Sequence, residues 1–189
     1  MSDKVRCGWV PLNKPTYVKY HDEEWGVPVR DDQKMFEFLV LESFQAGLSW
    51  EIVLNKRGNF RKAFAEFDFH KVALFDEEKV QSLLQDKGIV RNQLKIRAAI
   101  NNAQRYLEII KEFGSFCNYF WEFSKGKPLP NHFKVLDDIP ASTELSSTIA
   151  TDLKARGFKF MGTTVVYAHM QAVGMVNDHL EECFRYSEV

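Results

Sequence analysis

Along most of the chain, apolar side chains recur every three to four residues, the spacing of a helix with one buried face. Asp31 or Asp32 is placed to cap a helix carrying Met35, Phe36, Phe38, Leu39 and Leu41, and Gly47 interrupts the pattern before a second helix near Leu48. Over residues 60–75 the spacing predicts short helices with Phe60, Phe64, Phe67 and Phe69 turned inward. Asp76 caps a helix running to about Gln85, and residues 86–91, Asp-Lys-Gly-Ile-Val-Arg, read as a tight hairpin. A long helix follows, with Leu94, Ile96, Ala99, Ile100, Ala103, Leu107 and Ile110 on its apolar face. Residues 113–123 predict another short aromatic helix. Residues 124–140, with three prolines and Gly126, predict an irregular connection. Ser142 or Thr143 caps a helix ending at Gly157, and Thr163 or Thr164 opens a last long helix closed by Gly174. Residues 1–30 are aromatic and irregular, and no segment alternates convincingly as a strand. The expected class is all-α. One domain is expected over residues 1–189, with an N-terminal arm (1–30) and a C-terminal segment (175–189), built either as one body or as two helical lobes.

Composition narrows this only modestly. The chain has 189 residues, 45% of them hydrophobic, enough for a real core. Its net charge of −1 does not mark it as a general polyanion binder, so contact with nucleic acid would need a local basic patch. No apolar run approaches the ~20 residues of a membrane span, and the start, Met-Ser-Asp-Lys-Val-Arg, has no apolar signal region; a cytoplasmic location is expected. Cys7, Cys117 and Cys183 are odd in number and far apart, which argues against a disulfide framework.

Four metal-ligating side chains sit at the two chain ends: Cys7 and His21, then His179 and Cys183. The last two are four apart and would share one face of a helical turn. Two cysteines and two histidines suit a closed tetrahedral zinc site that would clip the ends together. The spacing alone is a weak signal and also fits buried free cysteines beside surface histidines. Cys117, within Phe-Cys-Asn-Tyr-Phe, reads as a small core residue.

Several motifs in order carry a stronger signal: Arg6-Cys7-Gly8-Trp9, Tyr20-His21-Asp22-Glu23-Glu24-Trp25-Gly26, Leu41-Glu42-Ser43-Phe44-Gln45-Ala46-Gly47-Leu48-Ser49-Trp50, Arg156-Gly157-Phe158-Lys159-Phe160, Gly162-Thr163-Thr164 and Asn177-Asp178-His179. Over about residues 6–184 the chain resembles the constitutive, type I 3-methyladenine DNA glycosylase family. The resemblance implies a helix-hairpin-helix glycosylase architecture and one structural zinc ion held by Cys7, His21, His179 and Cys183. It also implies base-excision repair: flipping of an alkylated purine out of double-stranded DNA and hydrolysis of its glycosidic bond, without lyase activity.

The resemblance and the chemistry together suggest roles. A 3-methylated adenine carries delocalised positive charge, which electron-rich ring faces attract. Trp50 and Tyr20 fall at pocket positions, and Trp9, Tyr17 and Trp25 are further base-binding candidates. Glu42, a lone carboxylate among apolar neighbours, would accept hydrogen bonds from the exocyclic amine and favour a cationic base. Phe44 stands where the family pattern has a glutamine. Gly47 and Leu48 would fill the gap left by the flipped nucleotide. Gly88, Arg91 and Lys95, at the hairpin and the following helix, would meet DNA phosphates. Asp137 and Asp138 read as a solvated turn rather than as catalytic acids. Expected partners are alkylated duplex DNA and free 3-methyladenine as product, with the protein a monomer. The competing readings are a non-cleaving base- or DNA-binding member of the same fold and a zinc-stabilised interaction domain.

Overall fold

The computed structural model describes residues 4–189; the first three residues of the expected N-terminal arm lie outside it. The central element is α2 (Asp32–Gln45), in which every residue from Met35 to Phe44 is buried. Such a helix is apolar nearly all round because neighbours cover it on several sides. Those neighbours are α3 (Trp50–Ala63), α6 (Gln93–Phe113), α7 (Phe116–Glu122) and α9 (Thr163–Ala172). Shorter helices complete the shell: α1 (Pro15–Glu23), α4 (Phe69–Val72), α5 (Glu77–Gln85) and α8 (Glu144–Ala155). The buried apolar side chains form one continuous core. Among the described residues, no helix is long and apolar enough to cross a membrane.

Side-chain caps explain most boundaries, those at Asp31, Asp76 and Thr143 as expected. Asp31 accepts from the Lys34 amide (2.7 Å), Asp76 from Lys79 (2.9 Å) and Asn92 from Lys95 (3.1 Å), each meeting one of the free N–H groups of a first turn. Thr143 and Ser146 form a reciprocal capping box. Gly174, at φ +68°, does more than end a helix. A Cβ there would lie 2.4 Å from the carbonyl carbon of Val27, so only glycine lets the N-terminal arm seat against the end of α9. Backbone bonds from Gly26 to Gln171 (3.1 Å) and from Val29 to Val173 (3.0 Å) fix that seat.

Four expectations are corrected. The arm is not wholly irregular, since α1 lies within it, started by Pro15 in the first turn where proline's missing N–H costs nothing. A two-residue parallel ladder pairs Leu129 with Val176 and Pro130 with Asn177 (β1 and β2), too short to announce itself by alternation. Phe60 belongs to α3 and Phe113 to α6, so the neighbouring helices are longer than read. Leu94 is 68% exposed rather than on the buried face of α6.

His169 on α9 is fully buried, and neither ring nitrogen has a hydrogen-bond partner. It packs edge-on to Phe120, with ring centroids 5.0 Å apart. Burial pushes its pKa down to about 3. A histidine held neutral in the fold but free to charge when unfolded lowers stability as pH falls below the unfolded value near 6.5. His169→Leu is therefore expected to raise stability by about 1 kcal/mol at pH 7, because no buried N–H is left orphaned. It should also remove an acid-side loss of roughly 2 kcal/mol by pH 5. Urea melts of both proteins from pH 5 to 8 test this; parallel pH profiles would refute it.

Candidate active site and metal cluster

A cavity of about 390 Å³ opens where α1, α2, α3 and α9 converge. Its wall contains Trp9, Tyr17, Tyr20, Trp25 and Trp50, all five aromatic candidates, together with Glu42. Tyr20 and Trp50 lie 5.3 Å apart between ring centroids, and Trp9 meets Trp25 edge-on at 4.9 Å. The indole N–H of Trp50 is buried without a partner.

Glu42 is the only carboxylate among the described residues lining this space. It is 5% exposed and accepts no hydrogen bond from any described residue. Burial pushes its pKa up to about 8. Glu37, one and a half turns earlier on α2, is equally buried but sits in a different environment. Burial opposes its charge too, yet Arg57 and Arg61, each donating to it at 2.8 Å, outweigh that effect and hold it at about 2. Two glutamates on one helix are thus driven to opposite protonation states by what faces them.

Sequence reasoning missed part of the wall. Thr164, Ala168 and Gln171 line the cavity from α9, and their spacing of four and then three places them on one helix face. The Gln171 amide donates to Asp178 (2.7 Å), which also accepts from Tyr167 and Asn131. Gln45 and Ile139 complete the lining. Phe44 points the other way, into the core against Phe60 and Phe64, so its departure from the family pattern does not reach the cavity.

Gly47 takes φ +81° in an exposed turn, which suits glycine. Leu48 beside it is half-buried, its N–H bonded to the Gln45 carbonyl (2.6 Å) and its carbonyl to the Gln45 amide (2.7 Å). At the hairpin, Asp86 accepts from the Gly88 N–H (2.7 Å), and Arg91 is exposed with no carboxylate partner among the described residues. Lys95 is a correction. It is buried, and its ammonium donates to the carbonyls of Phe44 and Ala46, so it does not present its charge outward. Asp137 and Asp138 are exposed in a short 3-10 turn, as a solvated turn requires.

The four metal-ligand candidates meet. Cys7, His21, His179 and Cys183 are buried, with their donor atoms all within 4.8 Å of one another. Cys183 Sγ lies 3.5 Å from His21 Nε2 and 3.6 Å from His179 Nδ1, which is also 3.6 Å from Cys7 Sγ. A tetrahedral site with bonds of 2.0–2.3 Å would have edges of roughly 3.3–3.8 Å. The outer bonds also fit. His179 Nε2 faces the Trp25 carbonyl (3.1 Å) and His21 Nδ1 faces Asp22 (2.8 Å). A carbonyl and a carboxylate both demand an N–H, so each imidazole turns its lone pair inward. Arg6 in turn grips Asp22 (2.6 Å). The two histidine rings facing the Cys183 sulfur favour its thiolate, the form in which a thiol binds a metal. His179 and Cys183 converge through a turn rather than on a helix.

The stability consequence of Glu42 has a definite sign. Its folded pKa lies above the ordinary 4.5, so the unfolded chain sheds the proton first. Stability therefore falls as pH rises from 4.5 and levels off above about 8. Glu42→Gln is expected to be more stable than the parent at pH 8, by on the order of a few kcal/mol, with the difference vanishing near pH 4.5. Thermal melts across that range test it; a less stable variant at pH 8 would show that Glu42 has a partner in solution.

The methyladenine glycosylase family model matches residues 9–186. DNA-3-methyladenine glycosylase 1 of Escherichia coli (strain K12) is 48% identical over 181 residues, 96% of each chain. A crystal structure of 3-methyladenine DNA glycosylase I superposes with a TM-score of 0.92 at 48% identity, covering 95% of this chain and 98% of that one. The Staphylococcus aureus 3-methyladenine DNA glycosylase I, solved for the structural basis of its 3-methyladenine recognition, gives a TM-score of 0.88 at 35% identity, covering 90% and 91%.

Proposed function

The chain belongs to the methyladenine glycosylase family, and from that premise we propose that it hydrolyses the glycosidic bond of 3-methyladenine in double-stranded DNA, as a step of base-excision repair. One observation carries the reading: a buried, unpartnered Glu42 faces a cavity walled by five aromatic rings. That combination suits a flat cation bearing an N–H donor. The rings supply stacking and cation–π attraction, roughly 0.5–2 kcal/mol per contact. Glu42 supplies the missing anion and accepts from the exocyclic amine.

The chemistry asks little of the protein. The C1′–N9 bond breaks with its electron pair passing to the base, whose positive charge is thereby neutralised. Water forms the new bond to C1′ and releases a proton to solvent. Tyr20, Trp50 and Glu42 hold the departing base, while Trp9, Tyr17 and Trp25 close the wall. No amine nucleophile takes part, so strand cleavage by a lyase step is not expected. Leu48, on the Gly47 turn, fills the vacated stack. The unit formed by α5, the hairpin at Gly88–Arg91 and α6 serves as a helix-hairpin-helix phosphate anchor, with Arg91 as its exposed cation. The protein acts as a single-domain, cytoplasmic monomer on this reading.

Cys7, His21, His179 and Cys183 would hold one zinc ion, joining arm 1–30 to segment 175–189. When bound, such an ion supplies a cross-link and no reaction step, because four protein ligands leave no open position. Cys183→Ala is expected to abolish stoichiometric zinc in the purified protein and to lower its Tm by several degrees. Elemental analysis with a thermal melt decides this, and a zinc-free parent would contradict it.

Release of labelled 3-methyladenine from alkylated duplex DNA is the direct test of function. The kcat/KM for release should climb with pH towards about 8 as Glu42 of the free protein ionises, then level off. Glu42→Gln should lose this limb and excise roughly ten- to a hundredfold more slowly, the loss of one hydrogen bond to a charged group. A stable parent that binds free 3-methyladenine without releasing it from DNA would support the non-cleaving reading instead.

A further inference from the structure

We propose that Lys95 and Lys56 are positioning residues that lock the phosphate-anchoring hairpin and the 45–50 turn into one rigid body. The inference rests on the reading above for what those two segments do. Lys95, in the first turn of α6, buries its ammonium against the carbonyls of Phe44 (2.9 Å) and Ala46 (2.5 Å). Lys56, on α3, donates to the carbonyls of Lys87 (2.9 Å) and Gly88 (3.2 Å) in the hairpin. Neither ammonium has a carboxylate partner among the described residues.

Burying an ammonium against neutral oxygens is costly compared with leaving it in water. A lysine spent this way has a mechanical effect that a solvated one lacks. The last carbonyls of a helix have no intrahelical partner, and water usually serves them. Here a side chain from another element serves those at the end of α2, as the helix dipole favours. The turn itself is closed by the two Gln45–Leu48 bonds. Lys95 therefore ties its upstream side to α6, which springs from the hairpin. Lys56 ties the hairpin to α3, whose first residue is Trp50 and which forms the downstream side. The two clasps close a ring: α2, Lys95, hairpin, Lys56, α3 and back to the turn. A phosphate seated on the hairpin then fixes where Leu48 and Trp50 meet the duplex.

Free base needs only the cavity, whereas a base in DNA needs cavity and hairpin in register. The two demands can be separated. Lys95→Met and Lys56→Met should each slow single-turnover excision from alkylated duplex, at saturating protein, by about tenfold or more, the scale expected of a misplacement near 1 Å. Affinity for free 3-methyladenine, read by quenching of the cavity tryptophans, should be unchanged. Unaltered excision in both variants would overturn the proposal. So would a parallel loss of free-base affinity, which would make the lysines mere supports of the cavity. If Lys95→Met fails to fold, Lys56→Met, at a half-exposed position, decides by the same two measurements. An unmodified protein that releases no base would sink the function proposed above, not this coupling.

Discussion

A carboxyl group that is buried and left without a donor costs folding free energy, and this fold maintains one. Glu37 and Glu42 show that the arrangement is local. Both lie on α2 and both are buried, yet one is gripped by two arginines and the other faces the cavity and accepts from none of the described residues. An arginine facing Glu42 would make the helix more stable and fill the cavity with a permanent guest. Keeping that donor away leaves the carboxyl to be satisfied by something that arrives from outside.

Holding the surrounding wall is harder than building it, because four of its rings, Trp9, Tyr17, Tyr20 and Trp25, come from the N-terminal arm. Such arms are ordinarily loose. This one is held from three directions. The Cys/His cluster joins its first turn and α1 to the C-terminal segment. Gly174 admits its backbone to the end of α9. Glu24, just past α1, takes two bonds from Arg57 on α3 (2.8 and 2.9 Å). Trp25 belongs to both the cavity and the cluster, lining the first while its carbonyl orients His179. Loss of the cluster would therefore reach the cavity through a ring that it shares, without any ligand touching the base.

Much of this was legible in the sequence, for physical reasons that differ by element. Asp31, Asp76 and Thr143 mark helix starts because a cap is a local interaction between near neighbours. The aromatic wall and the cluster were legible through ordered motifs rather than through spacing, since residues 170 positions apart carry no periodic signature. What escaped depends on tertiary contact. Lys95 looks like any basic residue after a hairpin, and only the end of α2 arriving beside it makes it a clasp. Gln171 is a polar residue in an apolar helix, a signal that was present but became meaningful once Asp178 and the cavity were known. The short helix α1 was hidden by Pro15 and its aromatic residues, although a proline suits a first helical turn.

The same lone carboxyl gives a physical account of selectivity. With a pKa of about 8, Glu42 is mostly protonated in the empty cavity at pH 7. Ionising it there costs only about 1.4 kcal/mol for the one unit of difference. On the proposed function, a cationic base stacked beside it would offset that cost, because opposite charges at contact interact strongly where burial limits solvent screening. A neutral adenine offers the same shape and the same amine but no charge to stabilise the carboxylate, so it meets the protonated acid. The neutral base is also the poorer leaving group, as its departing nitrogen would carry away negative charge. On the proposed function, one titration would thus weight both binding and bond cleavage towards the damaged base. Discrimination of this kind needs no additional contact to the methyl group, only a cavity dry enough that the charge on the base decides the state of the acid.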